Sequence, residues 1–188
     1  MKRTRWAIAA IAACALLPAS AQSNGYVAGA AQPAIDLRAT GLAVGGASQQ
    51  RLAQTMTIEA GGSLAGVLLP LSCASGNVVI EVRDVAGDGA PGANLLAVTA
   101  ARGTDLGSPP FRFTFVALRR PIVLAPGDRI ALVVSNPGGE CGFAQAPATV
   151  AYAGGRGFFE ALPNPVGFIP FAAFAGTPDD LPFQLVLD

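Results

Sequence analysis

The stretch LSCASGNVVIEVRD, residues 71–84, joins the end of one predicted strand to the start of the next. A cysteine-bearing turn closes one apolar segment, and in the next segment apolar and charged side chains alternate. The apolar side chains that share one face are Val78, Ile80 and Val82. Because successive side chains of a strand point to opposite faces, this period of two predicts a half-buried β-strand with Glu81 outward.

Further short apolar segments follow along the chain, separated by turns rich in glycine, proline, asparagine and aspartate. The clearest alternation places Phe111, Phe113 and Phe115 on one face, which we predict to be the core. The last segment, residues 181–187, also alternates, and we expect it to pair with an early strand because a free apolar strand aggregates. Residues 162–180, rich in proline and phenylalanine, are predicted to be irregular.

Glycine and proline recur too often for helices of ordinary length, and no segment after the N-terminal region has a helical period. Eight to ten short strands with turns between them predict an all-β fold, an antiparallel β-sandwich of the jelly-roll type. We expect this single sandwich domain at residues 49–188. Residues 22–48 are predicted to be a flexible N-terminal arm with a possible first strand at 35–44.

The first 21 residues have the parts of a secretory signal peptide: a positive head, a short apolar run and a small-residue cleavage site ending at Ala21. The apolar run, residues 6–17, is too short to span a bilayer comfortably. We therefore expect a secreted or periplasmic protein with residues 1–21 removed. The alternative is a lipid anchor on Cys14, because the preceding Ile-Ala-Ala resembles a bacterial lipoprotein box.

Removal of that segment leaves nine arginines against twelve aspartates and glutamates, a net charge of about −3. Such a chain lacks the dense positive charge that nucleic-acid binding requires, so we expect no nucleic-acid partner. No later apolar run is long and unbroken enough for a membrane span. The remaining chain of about 167 residues suits one domain with a real core.

Two cysteines remain after the cleavage site, and in an oxidising compartment they predict one disulfide, Cys73–Cys141. A bridge that closes so long a loop stabilises by about 4 kcal/mol in the chain-entropy model. The alternative is a pair of buried free thiols.

A family resemblance rests on the order TIEAGGSLAGVLLPL, VVIEVRD, PIVLAPGDRIALVVS, YAGG and DLPFQ. Over residues 50–188 this order resembles a β-sandwich module of secreted bacterial proteins, often described as jelly-roll or carbohydrate-binding-like. The resemblance implies a sandwich fold and a recognition role. Modules of this kind often carry tryptophan near the positions of Phe143 and Phe168, where this chain has phenylalanine.

Histidine is absent, which excludes histidine-dependent catalysis and histidine-ligated zinc. Lysine is lost with the signal peptide, which excludes serine–lysine dyads and Schiff-base chemistry. We therefore predict no enzymatic activity. The carboxylates that a glycosidase would need are present as Glu59, Glu81, Glu140 and Glu160, but no local motif distinguishes any of them from a solvated surface residue.

Calcium is the one cofactor that the composition leaves open. Asp84 and Asp88 flank a glycine-containing loop, and Asp179 and Asp180 precede the last segment. Hard cations favour such carboxylates, but an aspartate beside a glycine is more often part of a turn. We expect no cofactor, with these four aspartates as the calcium candidates.

Ligand-binding candidates lie in the C-terminal half, where loops on a rigid sandwich can carry function. They are the aromatic residues Phe143, Tyr152 and Phe168, together with Arg156 between two glycines. The competing interpretation is that the aromatic residues pack the late loops onto the sheet.

These observations predict a secreted, non-catalytic recognition or accessory module that binds a glycan, a cell-surface component or a protein. The first alternative is a carboxylate-based glycoside hydrolase. The second is a structural surface protein that self-assembles through an edge strand.

Overall fold

The structure is a computed structural model that describes residues 26–107, 110–173 and 179–188. The predicted signal peptide at 1–21, including Cys14, lies outside the described residues. Within them the chain forms strands β1 (Val27–Gln32), β2 (Leu42–Gly45), β3 (Arg51–Thr57), β4 (Gly62–Leu69), β5 (Leu71–Cys73), β6 (Asn77–Val85), β7 (Pro91–Arg102), β8 (Thr114–Leu124), β9 (Arg129–Ser135), β10 (Glu140–Phe143), β11 (Gly157–Ala161), β12 (Asn164–Pro170) and β13 (Phe183–Leu187). Two 3₁₀ turns, Gly103–Asp105 and Phe171–Ala173, complete the secondary structure.

The strands form three antiparallel sheets, which confirms the predicted all-β class. A four-stranded sheet has the order β1-β13-β4-β8, a three-stranded sheet β2-β10-β5, and a six-stranded sheet β12-β11-β3-β9-β6-β7. In β6 the side chains of Val78, Ile80 and Val82 are buried, while Glu81 and Arg83 form an ion pair on the other face. The alternation in residues 71–84 therefore identified this strand and its two faces.

One hydrophobic core joins the larger sheets. It contains Leu64 and Val67 of β4 and Leu185 of β13, together with Ile80 of β6 and Leu132 of β9. Two sheets that share buried inner faces in this way are compatible with a β-sandwich. The jelly-roll subtype stays a prediction.

The disulfide joins the strand β5 to the strand β10. Cys73 and Cys141 are directly opposite in the antiparallel register, with Cα atoms 4.0 Å apart and sulfur atoms 2.07 Å apart. Asn136 supports the bridge, because its Nδ2 donates to the Ser75 carbonyl at 2.8 Å and contacts the sulfur of Cys141 at 3.1 Å. The predicted pairing is confirmed.

The N-terminal segment differs from the predicted flexible arm. The described part of this segment, residues 26–48, contains two paired strands: β1 lies beside β13, and β2 lies beside β10. Ala30 and Val44 enter the core. The folded region therefore extends well before residue 49, and the strand expected at 35–44 is limited to Leu42–Gly45, because pairing with β10 determines which residues are extended.

The phenylalanine alternation predicted the wrong inward face. Strand β8 begins at Thr114, and its side chains in the core are Val116 and Leu118. Phe115 is exposed, with its ring against Gly66. The final strand is paired as predicted, between β1 and β4, whereas the region expected to be irregular contains β12.

Candidate functional site

A groove of about 440 Å³ opens on the outer face of the six-stranded sheet. Its floor comes from β3 and β9, where Thr57 lies opposite Arg129 and Thr55 opposite Ala131. One wall is the β6–β7 hairpin loop, residues 87–89, and the other is the loop at residues 153–156. The site is therefore built by strands that are distant in the sequence.

The second wall is fixed to β3 by hydrogen bonds. Thr55 Oγ1 donates to the carbonyl of Arg156 and accepts from its amide, both at 3.2 Å, while Thr57 Oγ1 donates to the Gly154 carbonyl at 3.0 Å. Gly155 lies so close to the Thr55 carbonyl that a Cβ would fall well inside 3.0 Å. Only glycine permits this approach of two backbones.

The side chain of Arg156 is held in place before any ligand arrives. Its guanidinium lies over the Phe158 ring, 5.2 Å from the ring centroid. Its Nη2 donates to the Asp88 carbonyl at 3.1 Å. Phe158 is itself buried, packed with Ala53 and Val133 on the outer face of the sheet. A stacked guanidinium held in this way retains little mobility that a ligand would have to restrict.

Arg129 directs a second guanidinium into the same groove. A Cβ placed on Gly89 would lie 3.2 Å from Arg156 Nη2 and 3.7 Å from Arg129 Nη2, so both groups face one point. Among the residues that the structure describes, neither arginine forms an ion pair. Two cations beside an open groove repel each other, and an anion between them would relieve that repulsion.

The predicted ligand-binding residues are not brought together. Phe143 is buried in the core, and the Tyr152 ring meets Phe183 edge-on at 5.2 Å while its hydroxyl donates to Thr57. Phe168 is half-buried beneath the guanidinium of Arg51, 5.1 Å from the ring centroid. The rings of these three residues therefore make packing contacts, and their role in ligand binding stays a prediction.

Arg156 lines the groove, and sequence reasoning missed its partners there. Arg129 follows an ordinary turn, and nothing in its local sequence distinguishes it from the other exposed arginines. Only the pairing of β3 with β9 brings Arg129 to the floor of the groove.

The aspartates proposed for calcium lie in two separate places. Asp84 accepts from the backbone and side-chain nitrogens of Asn94 at 3.0 and 2.6 Å, and Asp88 accepts from the Ala90 amide at 3.0 Å. Asp180 is buried and accepts from Gln54 Nε2. No cluster of three or more His, Cys, Asp or Glu side chains suited to a metal occurs in the described ranges.

The glutamates considered for hydrolysis also lie on separate elements. Glu81 pairs with Arg83 at 2.6 Å, and Glu160 pairs with Arg51. Glu59 and Glu140 are exposed, after β3 and on β10 respectively. The two glutamates in ion pairs match the surface role that the sequence favoured for them.

Asp180 links β3 to the residue before the 153–156 loop, and Gln54 of β3 links it to the chain just before β13. Its carboxylate accepts from Gln54 Nε2 at 3.0 Å and from the Tyr152 amide at 2.7 Å, and Gln54 Oε1 accepts from the Leu181 amide. Burial raises the pKa of the Asp180 carboxyl; the two hydrogen bonds oppose that rise, and Asp179 adds to it.

This shift predicts a pH dependence of stability. Because the folded-state pKa of Asp180 is raised, the contribution of its carboxyl to the free energy of unfolding is largest below the ordinary aspartate pKa of about 3.9. That contribution is lost as pH rises through the raised pKa. The unfolding free energy of the wild type minus that of Asp180→Asn should therefore fall over this range and then level off. Urea titrations of both proteins from pH 3 upward measure this difference. The contributions of the other acidic residues are the same in both proteins, so they cancel. A difference that rises with pH would contradict the assignment.

Comparison of the chain with protein-family models, with curated proteins and with solved structures finds no match. In the part of the chain described here, no helix has the length and apolar character needed to cross a membrane.

Proposed function

We propose that the protein is a secreted, non-catalytic recognition module whose groove at Arg129 and Arg156 binds a carboxylate-bearing glycan. The observation that carries this proposal is the convergence of two guanidinium groups on Gly89, with no ion pair to either among the described residues. The signal-peptide pattern at residues 1–21 supports the expectation of secretion.

The groove fits a sugar acid in both size and chemistry. Its volume of about 440 Å³ lies in the range typical of small-ligand sites. A planar guanidinium can donate two parallel hydrogen bonds to one carboxylate, which gives orientation as well as affinity. Both walls are rich in glycine, with Gly87 and Gly89 on one side and Gly154 and Gly155 on the other, so a sugar ring can approach the backbone closely.

Substitution of either groove arginine should weaken binding of a short oligogalacturonate. We expect Arg129→Gln and Arg156→Gln each to reduce affinity by about tenfold, because each removes a charge-assisted contact. Isothermal titration calorimetry at low salt measures the effect. Arg112→Gln, an exposed arginine away from the groove, is the matched control and should leave affinity unchanged.

The neutral galactose oligomer of the same length provides the ligand control. It should bind weakly, and added salt should weaken oligogalacturonate binding, since the attraction is electrostatic. Equal affinity for the neutral and the acidic oligomers, or full affinity in Arg156→Gln, would refute the proposed site.

A further inference from the structure

Among the described residues, two strand edges that have no backbone partner meet along one side of the molecule. Strand β7 ends the six-stranded sheet and strand β8 ends the four-stranded sheet. They lie side by side, and Thr99 Oγ1 donates to the Ala117 carbonyl at 2.9 Å, yet the described residues show no backbone ladder between them. We call this boundary the β7–β8 seam. A cleft of about 470 Å³ lies along it, between residues 95–100 and the pair Arg119 and Arg120.

The β7 side of the seam has only two of the features that normally protect an edge strand, which are Pro91 at its start and the shifts in its register with β6 around Leu95. No charged residue occurs in β7 before Arg102, and the strand is twelve residues long. Leu95 and Val98 are about half exposed, and Val123 on the adjacent part of β8 is 84% exposed. An edge that is long, apolar and uncharged is suited to pairing with another strand.

The β8 side adds positive charge to this apolar edge. Arg119 and Arg120 lie where the register between β8 and β4 shifts, between Ala117 opposite Gly66 and Ile122 opposite Leu64. Both arginines are exposed, and neither forms an ion pair within the described part of the chain. The seam therefore combines a free strand edge, apolar side chains and two unpaired cations.

We propose that the β7–β8 seam binds an extended segment of another protein in which apolar and acidic residues alternate. The segment adds to the edge of β7, its apolar side chains cover Leu95 and Val98, and its carboxylates face Arg119 and Arg120. Charge favours such a partner over a second copy of this chain. Antiparallel pairing of two β7 strands would gather four arginines around one two-fold axis, where their repulsion opposes association.

A synthetic peptide of alternating valine and glutamate, about ten residues long, is a direct probe. We expect it to bind the purified protein in fluorescence anisotropy and to slow amide hydrogen exchange at residues 95–100. The double variant Arg119→Glu/Arg120→Glu should weaken binding by at least about tenfold, because attraction becomes repulsion. Arg38→Glu, an exposed arginine elsewhere, should bind normally. A thermal melt of each variant confirms that it is folded.

Several results would overturn this proposal. They are equal binding of a peptide with lysine in place of glutamate, unchanged affinity in the double variant, and exchange protection away from β7. Self-association through the seam in sedimentation experiments would identify a second copy as the occupant instead. Binding of anionic vesicles, without binding of the acidic peptide, would identify a lipid surface. The double variant should retain its affinity for oligogalacturonate, which separates this site from the arginine groove.

Discussion

Replacement of Cys73 and Cys141 together by alanine is expected to lower the free energy of unfolding by about 4 kcal/mol. The bridge joins residues separated by 68 positions. Its loss therefore raises the conformational entropy of the unfolded chain, which favours unfolding. The bridge also lies in a sheet of only three short strands, where Cys141 is buried against the core. Few other contacts can replace it there.

Urea denaturation of the double variant measures this loss. Wild-type protein treated with a reductant should show a similar loss, and Ser72→Ala, on the same strand but outside the bridge, should stay within about 0.5 kcal/mol of the wild type. A loss below about 1 kcal/mol in the double variant would show that the bridge contributes little to the stability of the fold.

Gly155→Ala is expected to destabilise the protein by about 1–3 kcal/mol and to abolish measurable oligogalacturonate binding. The new Cβ would overlap the Thr55 carbonyl, and β3 cannot retreat because it is paired with β9 on its other side. The loop must therefore move away from β3, and Arg156 moves with it. The loss of binding should be larger than the loss of stability alone explains.

Gly87→Ala is the matched control for this substitution. Gly87 lines the opposite wall of the same groove, but a Cβ there meets no atom within 4 Å. We expect this variant to keep wild-type stability and affinity, measured by urea denaturation and calorimetry. Equal behaviour of the two alanine variants would mean that the close approach at Gly155 does not position Arg156.

The sequence predicted those features that depend on local pattern. The alternation of Val78, Ile80 and Val82 identified the inner face of β6, because one buried face requires a period of two. The disulfide was predicted because only two cysteines follow the expected cleavage site and the expected compartment is oxidising. The alternation of residues 181–187 indicated a strand that needed neighbours, and β13 has one on each side.

Features that depend on long-range pairing were missed. Alternation alone cannot say which of two faces enters the core, so Phe115 was assigned inward although Val116 and Leu118 are the buried side chains of β8. The alanine- and glycine-rich N-terminal segment has weak strand propensity, and pairing with β13 and β10 makes it extended. Arg129 and Arg156 are likewise brought together by pairing between distant segments, because β9 and the 153–156 loop both lie beside β3.

The side-chain Nε–Hε resonances of the arginines, followed by NMR during titration with oligogalacturonate, show whether the groove at Arg129 and Arg156 binds an anion. We predict that the signals of Arg129 and Arg156 shift together and saturate at one ligand concentration, while that of Arg112 stays unchanged. Unchanged signals from both groove arginines at saturating ligand, or shifts confined to arginines elsewhere, would contradict an anion-binding site in this groove.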